Sequence, residues 1–153
     1  IPVYKRPSGG QAVMLSPKSI VISVLLINTN LQKPKTIFIN VNQIIIDSLK
    51  SLGIKELSMH GISDISIGDK KILGSAIYRK KEKIFYQSVL NFSDDPGIFE
   101  KYLKHPSKEP DYRKGRSHTE FVTSILENAK EGLTIQKIVE TLEIFFSKSE
   151  PFA

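Results

Sequence analysis

Cysteine is missing from this chain altogether, which excludes disulfides and every form of thiolate chemistry. Long hydrophobic runs are missing too. The longest, Ile20 to Ile27, is interrupted by Ser23 and falls far short of a membrane span, so it reads as a buried strand. No secretory signal precedes the first structured segment; cytosolic residence is the default expectation, with an organelle address in a missing leader left open. No internal repeat, low-complexity tract or long flexible linker is visible. The histidines His60, His105 and His118 share no metal-ligand spacing, so each reads as a solvated or hydrogen-bonded structural residue.

What is there describes one ordinary folded domain. The chain has 153 residues, 40% of them hydrophobic and 25% charged, enough for one real core and too few for two comfortable ones. It opens at Ile1 rather than methionine, as a recombinant, processed or fragmentary chain does. Its 22 Lys and Arg against 16 Asp and Glu leave a net charge of +6. That balance favours acidic partners (nucleic acid, a membrane surface or an acidic protein) without choosing among them, and solubility alone accounts for it equally well.

The hydrophobic pattern predicts strands at Val13 to Leu15 and Ile20 to Asn28, separated by Ser16-Pro17-Lys18. From Thr36 to Leu52 the period becomes helical, through Ile37, Val41, Ile44, Ile45, Leu49 and Leu52, and Gly53 stands where a helix should end. Short β-like runs follow at Leu57 to Met59, Ile62 to Ile67, Lys71 to Arg79 and Ile84 to Phe92. Turns at Gly68-Asp69-Lys70 and Lys80 to Lys83 predict hairpins. Beyond Asp94-Asp95-Pro96 the pattern is helical again. A short helix is expected over Gly97 to Leu103, then a polar loop from His105 to Gly115. Ser117 and Glu120 have capping-box spacing ahead of Phe121, Ile125 and Leu126. Thr134 can cap a last helix with a core stripe of Ile135, Ile138, Val139, Leu142, Phe145 and Phe146. The expected fold class is α+β: a mixed, mainly antiparallel sheet flanked by helices, in a single domain spanning 1–153.

Two segments stand out chemically. In Lys5-Arg6-Pro7-Ser8-Gly9-Gly10-Gln11-Ala12-Val13, consecutive glycines after a cation let backbone amides approach a phosphate, and Arg6 can grip a phosphate or carboxylate. The same residues also make an ordinary loop before a strand. In Ser63-Asp64 to Lys71-Ile72-Leu73-Gly74-Ser75-Ala76, a lysine at the start of a strand is followed by small residues that leave room for a ligand. A fixed ammonium there can stabilise charge developing at a carboxylate and a phosphate. A hairpin with a charged turn and small packing residues is the plainer account.

Together and in this order, these segments resemble the lipoate–protein ligase A family, whose catalytic domain shares the class II synthetase-like fold of biotin–protein ligases. Arg6-Pro7-Ser8-Gly9-Gly10-Gln11-Ala12-Val13 is similar to the family's Ser-Gly-Gly-Gly-Ala-Val signature, with Gln11 in place of the third glycine. Ser63-Asp64 and Lys71-Ile72-Leu73-Gly74-Ser75-Ala76 resemble its second signature. Tyr86 to Asn91 looks like the following strand and Phe121 to Ile125 like the helix after the basic loop.

The resemblance implies a ligase that uses ATP and Mg2+ to convert lipoate, or a related acyl acid, to an acyl-adenylate. The acyl group then passes to a lysine of an acidic lipoyl carrier domain, of the E2 or glycine-cleavage H-protein type. It implies Lys71 as the catalytic residue, touching the acyl carbonyl and the α-phosphate. Arg6 would bind phosphate or carboxylate, and Ser8, Gly9, Gly10, Gln11, Ala12, Val13 and Met14 would surround the adenylate. Asp64 would orient Lys71 or a magnesium ion, with Gly74 and Ser75 as the wall beside the acyl chain. Transferases that use a cysteine nucleophile do not fit a chain without cysteine, while an octanoyl or lipoyl transferase that needs none stays open as an alternative. The family carries an N-terminal segment ahead of the Ser-Gly-Gly loop, expected here on a separate fragment or subunit, or lost in a shortened relative that binds without catalysing.

A competing class is a basic nucleic-acid-binding module, with Tyr78, Phe85 and Tyr86 as stacking residues near the basic turn Arg79-Lys80-Lys81. No nucleic-acid motif supports it. The basic loop Arg113-Lys114-Gly115-Arg116 could receive an acidic carrier, a pyrophosphate or only water.

Overall fold

Alternation in β1 (Ser19–Ile27) turns Ile20, Ile22 and Leu26 inward and leaves Val21, Leu25 and Ile27 exposed, the pattern of a strand with one buried face. The computed structural model describes residues 2–27 and 33–149; Asn28, the last residue of the predicted second strand, lies outside them. Next come α1 (Pro34–Ser51), β2 (Leu57–His60), β3 (Asp64–Ile67), β4 (Lys70–Lys80) and β5 (Lys83–Asn91). The strands form one sheet in the order β1-β5-β4-β3-β2, antiparallel at every step. The chain continues through α2 (Pro96–Tyr102), a 3-10 turn (Asp111–Arg113), α3 (His118–Phe121), α4 (Ile125–Asn128) and α5 (Ile135–Lys148).

Cross-strand partners share a face, so the register sorts the sheet into two sides. Ile20, Leu90, Leu73 and Ile65 form one row, all buried. Ile37, Val41, Ile45 and Leu49 of α1 and Ile138 and Leu142 of α5 join them in one apolar cluster. Val21, Val89, Gly74 and Asp64 form the matching row on the other side. One face is therefore core, and the other carries Asp64 and Gly74 of the second signature.

The helices keep their expected signals. Pro34 occupies the start of α1, and the backbone N–H of Gly53 closes its end on Lys50 O at 2.9 Å. Thr134 accepts from the backbone N–H of Lys137 at 3.2 Å and caps α5. Among the described residues no helix is long and apolar enough to cross a membrane.

Three expectations are corrected. Val13 to Leu15 is not a strand; it runs as irregular backbone with Val13 and Leu15 exposed. The capping box at Ser117 forms as expected, with Ser117 and Glu120 bonded reciprocally, but its helix stops at Phe121 instead of running on to Leu126. Val122 has extended backbone (φ −106°, ψ 148°), and Thr123 donates its N–H to Lys71 O at 3.0 Å. A sheet bond there outweighs the last turn of a helix. Finally, Tyr86 is no stacking platform. It is fully buried in the core, its hydroxyl donates to Asn42 Oδ1 at 2.6 Å, and burial pushes its pKa up to about 12.

Candidate functional site

The placement of Lys71 depends on one irregularity. Ile65 pairs with Leu73 but Ser66 pairs with Lys71, so Ile72 is the extra residue of a β-bulge. In an unbroken strand Lys71 would share the core face with Leu73, two residues on. The bulge turns it instead to the side of Asp64, Ser66 and Gly74, as bulges re-aim side chains. Its ammonium pairs with Asp64 Oδ1 at 2.9 Å. A Cβ placed on Gly74 would stand 2.8 Å from Lys71 Nζ and 2.9 Å from Cε, so the lysine arches over a position that needs to stay bare.

Asp64 is itself held on both oxygens. Tyr112 donates its hydroxyl to Oδ2 at 2.8 Å, while Lys71 takes Oδ1. Burial, and then the charge of Asp64, push the Tyr112 hydroxyl far above its usual range, so it remains a donor. Its ring packs at a tilt against His60 (4.6 Å between centroids) and Phe121 (5.0 Å).

The 6–14 segment is built differently. Arg6 Nη2 donates to Gln11 O at 2.8 Å and draws the loop into a ring. Gly10 sits at φ +101°, where a side chain is strained, and a Cβ there would meet the Arg6 guanidinium at 2.9 Å. Ser8 is buried with no hydrogen-bond partner for its hydroxyl among the described residues. Downstream the loop is anchored, because Ser16 and Ser19 both donate to Asp94 Oδ2. Asp94 in turn is tied to Asn91, whose side-chain amide also donates to Thr123 O at 3.1 Å.

Two cavities meet here. The larger, about 600 Å³, has apolar walls including Met14, Leu73, Val89, Phe99 and Phe121, with Lys104, His105 and Lys108 also lining it. The smaller, about 230 Å³, is lined by Arg6, Gly10, His60, Ser63, Asp64 and Ser75 among others. Lys71, Gly74, Gln11, Ala12, Val13 and Pro110 line both. The structure thus brings together Lys71, Asp64, Gly74, Ser75, Arg6 and Gly10 to Met14. Ser8 and Gly9 line neither cavity.

Other residues entered without a sequence signal. Tyr112 follows no periodic pattern that would single it out. His118 is not solvated: it is buried against the larger cavity, its backbone N–H donating to Glu100 Oε2 at 2.7 Å. Burial, then the nearby Arg113, hold its pKa below the ordinary histidine value against the opposing pull of Glu100. The basic loop is also corrected. Arg113 is buried over the Phe121 ring and paired with Glu109, and Arg116 is spent on Asp69 at 2.7 Å. Those two arginines hold the loop in place, which leaves Lys114 as its exposed cation.

The family model of the lipoyl protein ligase A/B catalytic domain matches residues 1–147. A protein of Mycoplasma genitalium named probable lipoate-protein ligase A is 28% identical over 151 residues, covering 97% of this chain and 43% of that protein. A solved structure described as a bi-partite lipoate protein ligase and its E2 lipoyl domain from Thermoplasma acidophilum matches with a TM-score of 0.78 at 22% identity. It covers 94% of this chain and 55% of that one. A lipoate-protein ligase A bound with ATP matches with a TM-score of 0.75, again at 22% identity, over 94% of this chain and 56% of that one. The chain therefore spans under half the length of the curated relative, and just over half of each solved structure.

Proposed function

The chain belongs to the lipoyl protein ligase A/B catalytic-domain family, and from that premise we propose that it activates lipoate or a related acyl acid with ATP and transfers the acyl group to a lysine of a carrier domain. One observation carries this reading: a single charged residue, Lys71, lines both of two adjoining cavities. Adenylate formation joins two substrates at one point, and a cation there serves both.

In this reading the larger cavity takes the nucleotide, with Met14 along its wall. The smaller takes the acyl acid beside Gly74 and Ser75, with Arg6 toward the carboxylate. The carboxylate oxygen attacks the α-phosphorus; a new O–P bond forms, the bond to the β-phosphate breaks, and pyrophosphate leaves. Lys71 stabilises the negative charge shared by the carboxylate and the α-phosphoryl oxygens as they converge, a role that grows in the transition state. A carrier-lysine amine then attacks the acyl carbonyl carbon, AMP departs, and the amine's proton is lost to solvent. No covalent intermediate on the protein is needed, in keeping with the lack of cysteine.

Asp64 is the residue that orients Lys71. Its two oxygens are engaged by Lys71 and by Tyr112, which favours this orienting role over that of holding a magnesium ion; a magnesium ion bound with ATP would supply charge neutralisation for the phosphates. The +6 charge suits an acidic carrier such as a lipoyl domain; the Thermoplasma ligase is described together with its E2 lipoyl domain.

The test is the intact mass of an acidic lipoyl domain after incubation with this chain, lipoate and magnesium-ATP. The expected outcome is a lipoyl-sized gain that requires ATP. Pyrophosphate release without that gain would confine this chain to the first half-reaction. Absence of both would overturn the reading for this chain.

A further inference from the structure

We propose that Tyr112 is a positioning residue that couples the seating of the 103–117 segment to the orientation of Lys71. The reaction named rests on the ligase reading; the contact itself does not.

The segment forms one wall of the larger cavity, through Leu103 to Lys108, Pro110 and Arg113. Its own cations fasten it at the far end. Arg116 grips Asp69 in the turn between β3 and β4, through both the side chain (2.7 Å) and the carbonyl (3.0 Å), and also bonds Tyr112 O at 3.0 Å. Between these anchors the Tyr112 ring is wedged against His60 and Phe121, and its hydroxyl reaches Asp64. A short path therefore runs from the cavity wall through Tyr112 to Asp64, and from Asp64 to the ammonium of Lys71, a residue that lines both cavities. When the wall is seated, Tyr112 fixes one carboxylate oxygen and leaves the other turned to Lys71. When it lifts, Asp64 is free to rotate, and Lys71 loses the partner that sets its direction. Occupation of the cavity and alignment of the catalytic cation are thereby one event.

Tyr112→Phe keeps the ring and removes only the hydroxyl, so it isolates this contact. We expect the kcat for acyl-adenylate formation, followed as pyrophosphate release, to fall about tenfold while the KM for ATP stays within about twofold. A readout independent of turnover accompanies it: the acetylation rate of each lysine by N-hydroxysuccinimidyl acetate, followed by peptide mass spectrometry. Lys71 alone should label about threefold faster in the variant, because its tether to Asp64 is loosened. Unchanged kcat with unchanged Lys71 labelling would overturn the proposal. So would a rise in KM at constant kcat, which would make Tyr112 a plain wall of the nucleotide cavity. If the parent chain forms no adenylate, the ligase reading fails, and the labelling experiment still decides whether Tyr112 positions Lys71.

Discussion

The two signature segments face the same junction and are built in opposite ways. Lys71 stands on a strand paired with β3 on one side and β5 on the other, its own carbonyl accepting from Thr123, and its ammonium is tied to Asp64, which Tyr112 ties in turn. Among the described residues the 6–14 loop pairs with no strand, and most of its residues are exposed; its internal tie is the bond from Arg6 to Gln11 O. Under the proposed function, the difference follows from what each segment would do. A charge that stabilises a transition state is effective only if it is in place beforehand, so it belongs on a sheet. A loop that wraps phosphate and acyl groups needs an open path for them, and its ordering can be completed by the ligand. Substitutions around Lys71 should therefore act on kcat, and those in the loop on KM.

The largest effect should come from Lys71→Ala: adenylate formation falls by about a thousandfold while Tm changes by no more than about 2 °C, read from pyrophosphate release and thermal melts. Parental pyrophosphate release in that variant would remove the central cation and collapse the contrast. Next is Gly74→Ala. The new methyl takes the space of Lys71 Nζ, and because that is the tip of a flexible side chain, the lysine moves and the fold survives. A drop of about 30-fold in kcat with an unaltered melt is expected; a parental kcat would show that the placement of the ammonium is loose after all. Arg6→Ala should raise the KM for the acyl acid about tenfold and leave kcat within about threefold. If instead kcat falls at constant KM, the loop belongs with the chemistry and the two segments are not so different.

The smallest effect is a pH dependence. His118 is held below its ordinary value of 6.5 in the folded chain. Between its folded and unfolded values the unfolded chain binds more protons, so stability drops as the pH falls through that window. His118→Gln should flatten the decline of Tm between about pH 7 and pH 5 by a degree or two. A decline of unchanged steepness would place the sensitivity elsewhere.

Much of the fold was legible in the residues. The alternation of β1, the helical period of Ile37 to Leu52, the cap at Thr134 and the two hairpin turns are local signals, and local sterics and burial suffice to realise them. The site was legible only as two segments. Nothing local tells that Lys71 leaves the face of Leu73, because the bulge exists in relation to Ser66 on another strand. The helix expected beyond Phe121 failed for the same kind of reason: Thr123 was claimed by a carbonyl some fifty residues away in the chain. Arg113 and Arg116 read as free cations until Glu109, Phe121 and Asp69 were brought beside them.

What the sequence by itself determined, then, is the inventory: a cysteine-free α+β domain with a net positive charge, the glycines that let backbone approach a ligand, and a lysine followed by small residues. These are properties of residue type and spacing, which act over a few neighbours at a time. What only the tertiary structure decided is which groups meet. Tyr112 lies 48 residues from Asp64 and Lys71 shares a junction with the 6–14 loop. Bonds a few ångströms long between distant residues are fixed by strand register and core packing, so no local pattern encodes them.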